Sequence, residues 1–139
     1  MQLRAIESGE FPRVIEEHRG KALFVDCWAT WCGYCIKDFP HTVEFHRRLA
    51  GRGLDVVTVS FDSPDDLGAA QDFLVKQRAT MKNYILRDAG SAESFAALGV
   101  KEGLPFYKLY DRKGALRQTF VGAGQAEAIN RAVEALLNE

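Results

Sequence analysis

The sequence predicts an α/β fold in which a central mixed β-sheet is flanked by helices on both faces. Residues 21–29 and 54–61 are almost continuously apolar or β-branched, which is typical of strands buried on both faces. Segments with helical spacing alternate with these strands. Residues 106–110 and 116–121 then flank a turn sequence typical of a hairpin. Alternating strands and helices followed by a hairpin and a helix indicate a mixed sheet.

The other elements follow from caps, turn residues and helical spacing. Asp62, Ser63 and Pro64 supply a cap and a first-turn proline for a helix that we expect to reach about Arg78. The predicted helices cover residues 10–18, 33–49, 64–78, 91–98 and 126–137, and a further short strand covers residues 84–86.

Composition predicts one folded domain over residues 1–139. The chain is long enough for a core without disulfide staples, and 47% of its residues are hydrophobic. A formal net charge of -1 argues against a nucleic-acid partner held by bulk charge. No apolar run approaches membrane-spanning length, so we expect no membrane contact, and we expect a monomer.

The N-terminus leaves the compartment open. Residues 1–4 lack the apolar stretch of a signal peptide, but a chain that began after a removed signal would look the same. We therefore expect a periplasmic or other extracytoplasmic protein if a signal or anchor preceded Met1, and a cytoplasmic one otherwise.

Two cysteines three positions apart, Cys32 and Cys35, are the most informative feature of the chain. They follow the first buried strand and open the helix predicted over residues 33–49. A helix that starts at Cys32 brings Cys35 back one turn later, so the two sulfurs can join reversibly. Unpaired N–H groups and the helix dipole favour a thiolate at this position. We therefore expect Cys32 to attack and the more sheltered Cys35 to resolve the mixed disulfide.

Other interpretations of the cysteine pair find less support in the rest of the sequence. A structural zinc site needs four ligands, and only Cys27, His18, His41 and His46 remain, without a common ligand spacing. Haem attachment needs histidine where Ile36 stands. Two structural cysteines in a core remain the simplest alternative. We predict no metal, nucleotide or flavin cofactor.

Residues 25–35 read VDCWATWCGYC and closely match the thioredoxin pattern VDFWAxWCGPC. The match continues with Pro40, with Leu104-Pro105 before a strand and with Gly122 after the hairpin, and so covers nearly the whole chain. The chain therefore resembles thioredoxin-fold proteins. The WATWC run, the acid-x-Pro that follows Cys35 and the extra helix after residue 61 resemble the TlpA/ResA-like branch of extracytoplasmic reductases.

This resemblance implies a thiol–disulfide oxidoreductase, and we expect it to reduce disulfides of partner proteins and to be reset by a separate thiol electron donor. It implies a cis peptide bond between Leu104 and Pro105, where an extended substrate segment can pair with the Leu104 main chain. An ordinary trans proline at a strand start is the alternative. We expect Trp31, Gly33 and Tyr34 to complete the substrate-binding surface.

Asp26 is a lone carboxylate in the apolar run before the cysteines, so desolvation should raise its pKa toward neutrality. Such a group can exchange the proton that Cys35 loses, and the resemblance implies this role. The alternative is an aspartate turned to solvent. Asp38, one turn after Cys35, is a candidate accessory acid, with a solvated helix charge as the alternative.

Four neighbouring residues have expected structural roles. We expect Trp31 to cover part of the disulfide and Trp28 to pack beneath the loop, with plain core packing as the alternative for both. Cys27 should fill a core position on the sheet face opposite Asp26, because neighbouring strand residues alternate. Pro40 should kink its helix.

Two departures from the family pattern limit the functional prediction. Tyr34 replaces the usual proline, and residues between the thiols tune the redox potential. An oxidase or isomerase with the same site, and a redox-sensing binding module, are therefore alternatives to a reductase. In addition, no opening strand pair of the TlpA/ResA-like type is predicted at the N-terminus.

Overall fold

The computed structural model describes all residues from Met1 to Glu139. Six strands and five α-helices alternate along most of the chain, and three short 3₁₀ turns join them. The strands are β1 (Gln2–Ile6), β2 (Ala22–Trp28), β3 (Leu54–Ser60), β4 (Lys82–Leu86), β5 (Phe106–Tyr110) and β6 (Leu116–Val121). The helices are α1 (Phe11–Glu17), α2 (Gly33–Leu49), α3 (Leu67–Lys76), α4 (Ala92–Leu98) and α5 (Ala126–Leu137).

All strands belong to one mixed sheet in the order β1-β4-β3-β2-β5-β6. Strands β1, β4, β3 and β2 run parallel, whereas β5 is antiparallel to β2 and β6 is antiparallel to β5. All seven residues of β2 are buried, because this strand lies inside the sheet and both of its faces are covered.

Helices cover both faces of the sheet, as the sequence predicts. On one face, Phe24 of β2 packs against Phe45 of α2, and Trp28 packs against Phe73 of α3. Helix α5 lies beside α2 on this face. On the other face, the Phe11 ring of α1 lies 6.5 Å from that of Tyr110 on β5. Helix α4 covers the same face, where its Phe95 packs against Phe61.

Strand β1 is an element that the sequence analysis missed. It pairs with β4 at the edge of the sheet, and only Ile6 of its five residues is buried. An edge strand with so little buried surface has no apolar run to reveal it; its signal is the alternation of the partly buried Leu3 and Ala5 with exposed residues. It is a single strand, and a 3₁₀ turn and α1 follow it directly.

The helix expected to start at Pro64 begins later than predicted. Ser63 caps a 3₁₀ turn over Pro64–Asp66, and α3 starts at Leu67. Asp62, predicted as part of this cap, instead accepts hydrogen bonds from Thr30 and Ser60. The helix stops before Arg78, whose positive φ of 55° ends the helical path. Strand β4 begins at Lys82 rather than at residue 84.

Candidate active site

Cys32 and Cys35 form a disulfide at the N-terminus of α2. Cys32 is the N-cap residue, and its Sγ accepts a hydrogen bond from the backbone N–H of Cys35 at 3.2 Å. Cys32 is 8% exposed and Cys35 only 2% exposed. A thiolate on Cys32 would therefore receive both an N–H donor and the positive end of the helix dipole, while remaining the more accessible of the two sulfurs.

The residues next to the two buried cysteines are much more exposed than the cysteines themselves. Trp31 and Tyr34 are each 63% exposed, although both are large apolar side chains, and Gly33 between the cysteines is also exposed. Exposed aromatic side chains next to a reactive group form a surface that a protein partner can cover. Core packing is thus not the role of Trp31.

The peptide bond between Leu104 and Pro105 is cis, as predicted. Because Phe106 of β5 pairs with Cys27 of β2, this peptide lies at the end of the sheet where β2 leads into the cysteine loop. Pro105 is buried and its carbonyl accepts a hydrogen bond from the Gly122 N–H at 2.9 Å, whereas Leu104 is only partly buried. The loop is thereby held from the β6 side while Leu104 stays accessible.

Asp26 is buried in the middle of β2, with 2% of its surface exposed. Burial raises the pKa of its carboxyl from 3.8 to about 7, the hydrogen bond from Thr42 opposes this shift, and the nearby Asp38 charge adds to it. The Thr42 hydroxyl donates to Asp26 Oδ2 at 2.7 Å, and Oδ1 has no hydrogen-bond partner. The alternative of a solvent-facing aspartate is therefore excluded.

Helix α2 relates this carboxyl to the disulfide. Cys35, Phe39 and Thr42 are buried at spacings of four and three, so they share the helix face turned toward the sheet. Asp26 accepts a hydrogen bond from Thr42, which lies two helical turns, or roughly 10 Å along the axis, beyond Cys35. Asp26 and Cys35 thus lie on the same side of the sheet.

Asp38 is half-buried on α2, and its Oδ2 accepts a hydrogen bond from the Gly124 N–H at 3.2 Å. It lines a narrow space of about 10 Å³ together with Thr42 and with Tyr107 of β5. Its charge is close enough to influence Asp26. Asp38 is therefore not a fully solvated helix charge.

Asp62 is a buried residue that anchors the cysteine loop and that sequence reasoning did not assign to the site. Its carboxylate accepts from the Thr30 N–H at 3.0 and 3.1 Å, from the Thr30 hydroxyl at 2.5 Å and from the Ser60 hydroxyl at 2.6 Å. Thr30 is two residues before Cys32. The only sequence signal was an acidic residue directly after a buried strand, the position where groups of a parallel sheet converge on its site.

Three further expectations concern packing. Trp28 is fully buried between Phe39 and Phe73, with each ring centroid 5.1 Å away. Cys27 is fully buried, and strand alternation turns it to the face opposite Asp26, as predicted. Helix α2 continues through Pro40, so this proline does not end the helix, and the kink there stays a prediction. No group of three or more His, Cys, Asp or Glu side chains is arranged to hold a metal ion.

The mixed sheet with helices on both faces, a Cys-x-x-Cys disulfide at a helix N-terminus and a cis-proline loop beside it define the thioredoxin-fold class. The Redoxin family profile matches residues 14–137. The chain therefore belongs to the Redoxin family, and the predicted fold class is confirmed.

The chain is similar to individual proteins of the ResA-like branch. The thiol-disulfide oxidoreductase ResA of Bacillus thuringiensis subsp. konkukian (strain 97-27) is 29% identical over 115 residues, which are 83% of this chain and 63% of that protein. The chain thus matches less than two thirds of the ResA length.

Solved structures resemble the chain over most of its length. A protein assigned as thiol:disulfide interchange protein DsbE from Chlorobium tepidum superposes with a TM-score of 0.78 at 28% identity, covering 88% of this chain and 84% of that one. A thiol-disulfide isomerase from Corynebacterium glutamicum gives a TM-score of 0.73 at 22% identity, covering 89% and 85% of the two chains, and supports the fold alone.

Replacing Asp62 with Ala should destabilise the protein by about 3 kcal/mol, because the Thr30 and Ser60 donors lose their buried acceptor. Urea unfolding with the disulfide intact measures this loss. Asp72→Ala, an exposed aspartate on α3, is the matched control and should change stability by less than about 0.5 kcal/mol. Equal effects of the two substitutions would contradict the anchoring role.

Stability should fall with rising pH because of Asp26. Its folded-state pKa of about 7 lies above the ordinary 3.8, so the folded protein holds this proton more tightly than the unfolded chain does. The stabilisation is complete below about pH 4, declines as the pH rises toward 7 and is lost above that. The difference between pKa values of 3.8 and about 7 corresponds to roughly 4 kcal/mol.

Asp26→Asn removes this titration and keeps an acceptor for Thr42. Relative to wild type, its free energy of unfolding should therefore improve by up to about 4 kcal/mol between pH 4 and pH 8. Urea unfolding across this range measures the difference, and Asp72→Asn controls for the change in net charge. A wild-type minus Asp26→Asn difference that does not vary with pH would refute the raised pKa.

Proposed function

We propose that the chain is a thiol–disulfide oxidoreductase that reduces disulfides in partner proteins through Cys32 and Cys35. The observation that carries this proposal is the N-cap position of Cys32, whose sulfur accepts the Cys35 N–H and is the more exposed of the pair. An N–H donor and the helix dipole stabilise a thiolate, and the thiolate is the attacking species in disulfide exchange.

Reduction of a substrate proceeds in two exchanges. The Cys32 thiolate attacks one sulfur of the substrate disulfide, which forms a mixed disulfide and releases the other substrate sulfur as a thiolate. Cys35 then loses its proton and attacks the Cys32 sulfur. This step forms the Cys32–Cys35 disulfide, the state seen in the structure, and releases the second substrate sulfur. The substrate gains two electrons. A separate thiol donor must later reduce the Cys32–Cys35 disulfide again.

Asp26 is the proposed acceptor of the Cys35 proton. With a pKa of about 7, its carboxyl exchanges protons readily near neutral pH. Because its partner Thr42 lies two turns from Cys35, we assign the transfer to a bridging water. A space of about 10 Å³ beside Thr42, lined by neither Asp26 nor Cys35, has room for one water molecule near this proposed path. Asp38, which lines the same space, is the accessory acid of the proposal.

The proposed substrate surface consists of Trp31, Gly33 and Tyr34 on one side and Leu104 and Pro105 on the other. The exposure of both aromatic side chains supports contact with a folded or extended protein segment. The partly buried Leu104 offers its main chain for pairing by strand addition.

Residues 1–139 act in this proposal as one domain and as a monomer. A single continuous core of 38 buried residues supports the assignment of one domain. None of the five α-helices combines the length and the apolar character that a membrane span requires. The proposed partners are protein disulfides and a thiol donor, with no nucleic acid, metal or organic cofactor.

Reductant-coupled reduction of insulin tests the activity and the cysteine roles. Cys32→Ser should reduce turnover to background, because no attacking thiolate remains. Cys35→Ser should accumulate a mixed disulfide that mass spectrometry detects. Cys27→Ala is the matched control and should retain near wild-type turnover, since Cys27 is fully buried on the opposite sheet face. An inactive wild type, or turnover independent of Cys32, would favour a redox-sensing binding module.

The redox potential distinguishes a reductase from an oxidase or isomerase. A dedicated reductase should have a potential below the roughly −220 to −260 mV of the cytosolic glutathione pool, so the oxidised form should predominate in a glutathione buffer of that poise. Alkylation of free thiols followed by mass spectrometry measures the ratio. A protein that is mostly reduced in this buffer would argue for an oxidase or isomerase. Tyr34→Pro, measured in parallel, isolates the contribution of the residue between the thiols.

A further inference from the structure

Lys108 is a buried cation that the proposed chemistry does not use. It lies in the middle of β5 and only 7% of its surface is exposed. Its ammonium lies 5.3 Å from the ring centroid of Phe11 and 5.4 Å from that of Tyr110. The only lysine that forms an ion pair within 4 Å is Lys21, so no carboxylate balances the Lys108 charge. Buried lysines are normally paired, which makes this one unusual.

The charge of Lys108 is only partly compensated by its surroundings. Burial lowers the pKa of the ammonium, and the neighbouring Cys27 provides only a weaker opposing influence. Contacts with two aromatic rings offset some of the lost hydration. An anionic group at hydrogen-bond distance would supply the stabilisation that the ammonium still lacks.

Lys108 lines an open cleft of about 410 Å³ on the sheet face opposite α2. The pairs Lys108–Thr119 and Phe106–Val121 of β5 and β6 form its floor. Gly99, at the end of α4, contributes to the wall. A Cβ at Gly99 would lie 3.7 Å from the Lys108 ammonium nitrogen, so the wall passes directly beside the charge.

The lining combines one buried cation with apolar and polar groups. Phe106, Leu116 and Val121 supply apolar surface, and Leu116 and Val121 are 50% and 40% exposed on the edge strand. Thr119 supplies a hydroxyl. Lys101 and Glu102 line the same cleft and carry opposite charges. A dianion such as phosphate would gain one buried cation but face Glu102, whereas a monoanion with an apolar stem matches the lining better.

We propose that this cleft binds a carboxylate on an apolar stem, with the Lys108 ammonium as its counter-ion and the Thr119 hydroxyl as a second donor. The cleft borders the proposed substrate surface, because Phe106 directly follows Pro105 and Val121 directly precedes Gly122, whose N–H donates to the Pro105 carbonyl. The carboxylate can therefore come from an acidic side chain of a bound partner or from a free organic acid. Binding involves neither thiol, so its failure would leave the proposed disulfide chemistry untouched.

Titration of the oxidised protein with butyrate tests the proposal by backbone amide NMR at constant ionic strength. Butyrate should cause saturable shifts at Gly99, Thr119 and Val121, and butanol should not. Lys108→Met should weaken butyrate binding by at least about tenfold, the loss expected for one charged hydrogen bond. Lys113→Met, in the exposed β5–β6 turn, is the matched control and should leave binding unchanged.

The absence of saturable shifts, equal affinity in Lys108→Met, or tighter binding of inorganic phosphate than of butyrate would each overturn the proposal. A second measurement covers the case in which Lys108→Met does not fold. The side-chain NMR signal of Lys108 in the wild type should report a higher pKa with butyrate bound than without it, and an unchanged pKa would also overturn the proposal.

Two disulfide-linked peptides that differ by one Glu→Gln replacement identify the source of the carboxylate. If the acid belongs to a partner, wild type should reduce the Glu peptide with a kcat/KM about tenfold higher than that for the Gln peptide, and Lys108→Met should lose this preference. If butyrate binds through Lys108 but the peptides are reduced equally, the source is a free organic acid. Inactivity toward both peptides, together with butyrate binding, would refute the disulfide chemistry and leave the carboxylate site standing.

Discussion

Strand β2 is buried along its whole length, yet it carries a carboxyl group in its middle and leads directly into the cysteine loop. The apolar residues around Asp26 make β2 the centre of the core, and the same residues withhold the water that would stabilise its charge. One hydroxyl, from Thr42, is the only hydrogen-bond partner of its side chain. The stability of the fold and the near-neutral pKa of this acid therefore have the same cause.

Contacts with several parts of the chain hold the segment that follows β2 in place. Asp62 holds Thr30 from the end of β3, and the N-cap contact between Cys32 and Cys35 fixes the start of α2. On the third side, the Pro105 carbonyl accepts a hydrogen bond from the N–H of Gly122, which follows β6. Disulfide exchange needs an attacking sulfur that is held in place and a partner surface that stays open. In the proposed chemistry, the contacts beneath the loop would meet the first need, and the exposed aromatic rings of Trp31 and Tyr34 would meet the second.

The sequence predicts most of the fold and the thiols because their signals are local. Buried strands, helical spacing and the Cys-x-x-Cys motif each lie within a few consecutive residues, and its place in an apolar run makes Asp26 a recognisable candidate. Strand β1 was missed because an edge strand buries little surface. The Asp62–Thr30 contact and the position of Lys108 were missed because they join residues that are 32 positions apart or depend on which face of β5 is covered. Neither feature can be recognised from a few consecutive residues.

Strand alternation also keeps the two buried charged groups of the sheet apart. Asp26 pairs with Tyr107 across β2 and β5, and Val25 pairs with Lys108. The carboxyl and the ammonium are thus one register position apart but on opposite faces of the sheet. On the same face they would form an ion pair, which would lower the Asp26 pKa well below neutrality and remove its proposed use as a proton acceptor and donor near pH 7. Their separation keeps Asp26 near pKa 7 on the α2 face, and it leaves Lys108 without an internal partner on the other face.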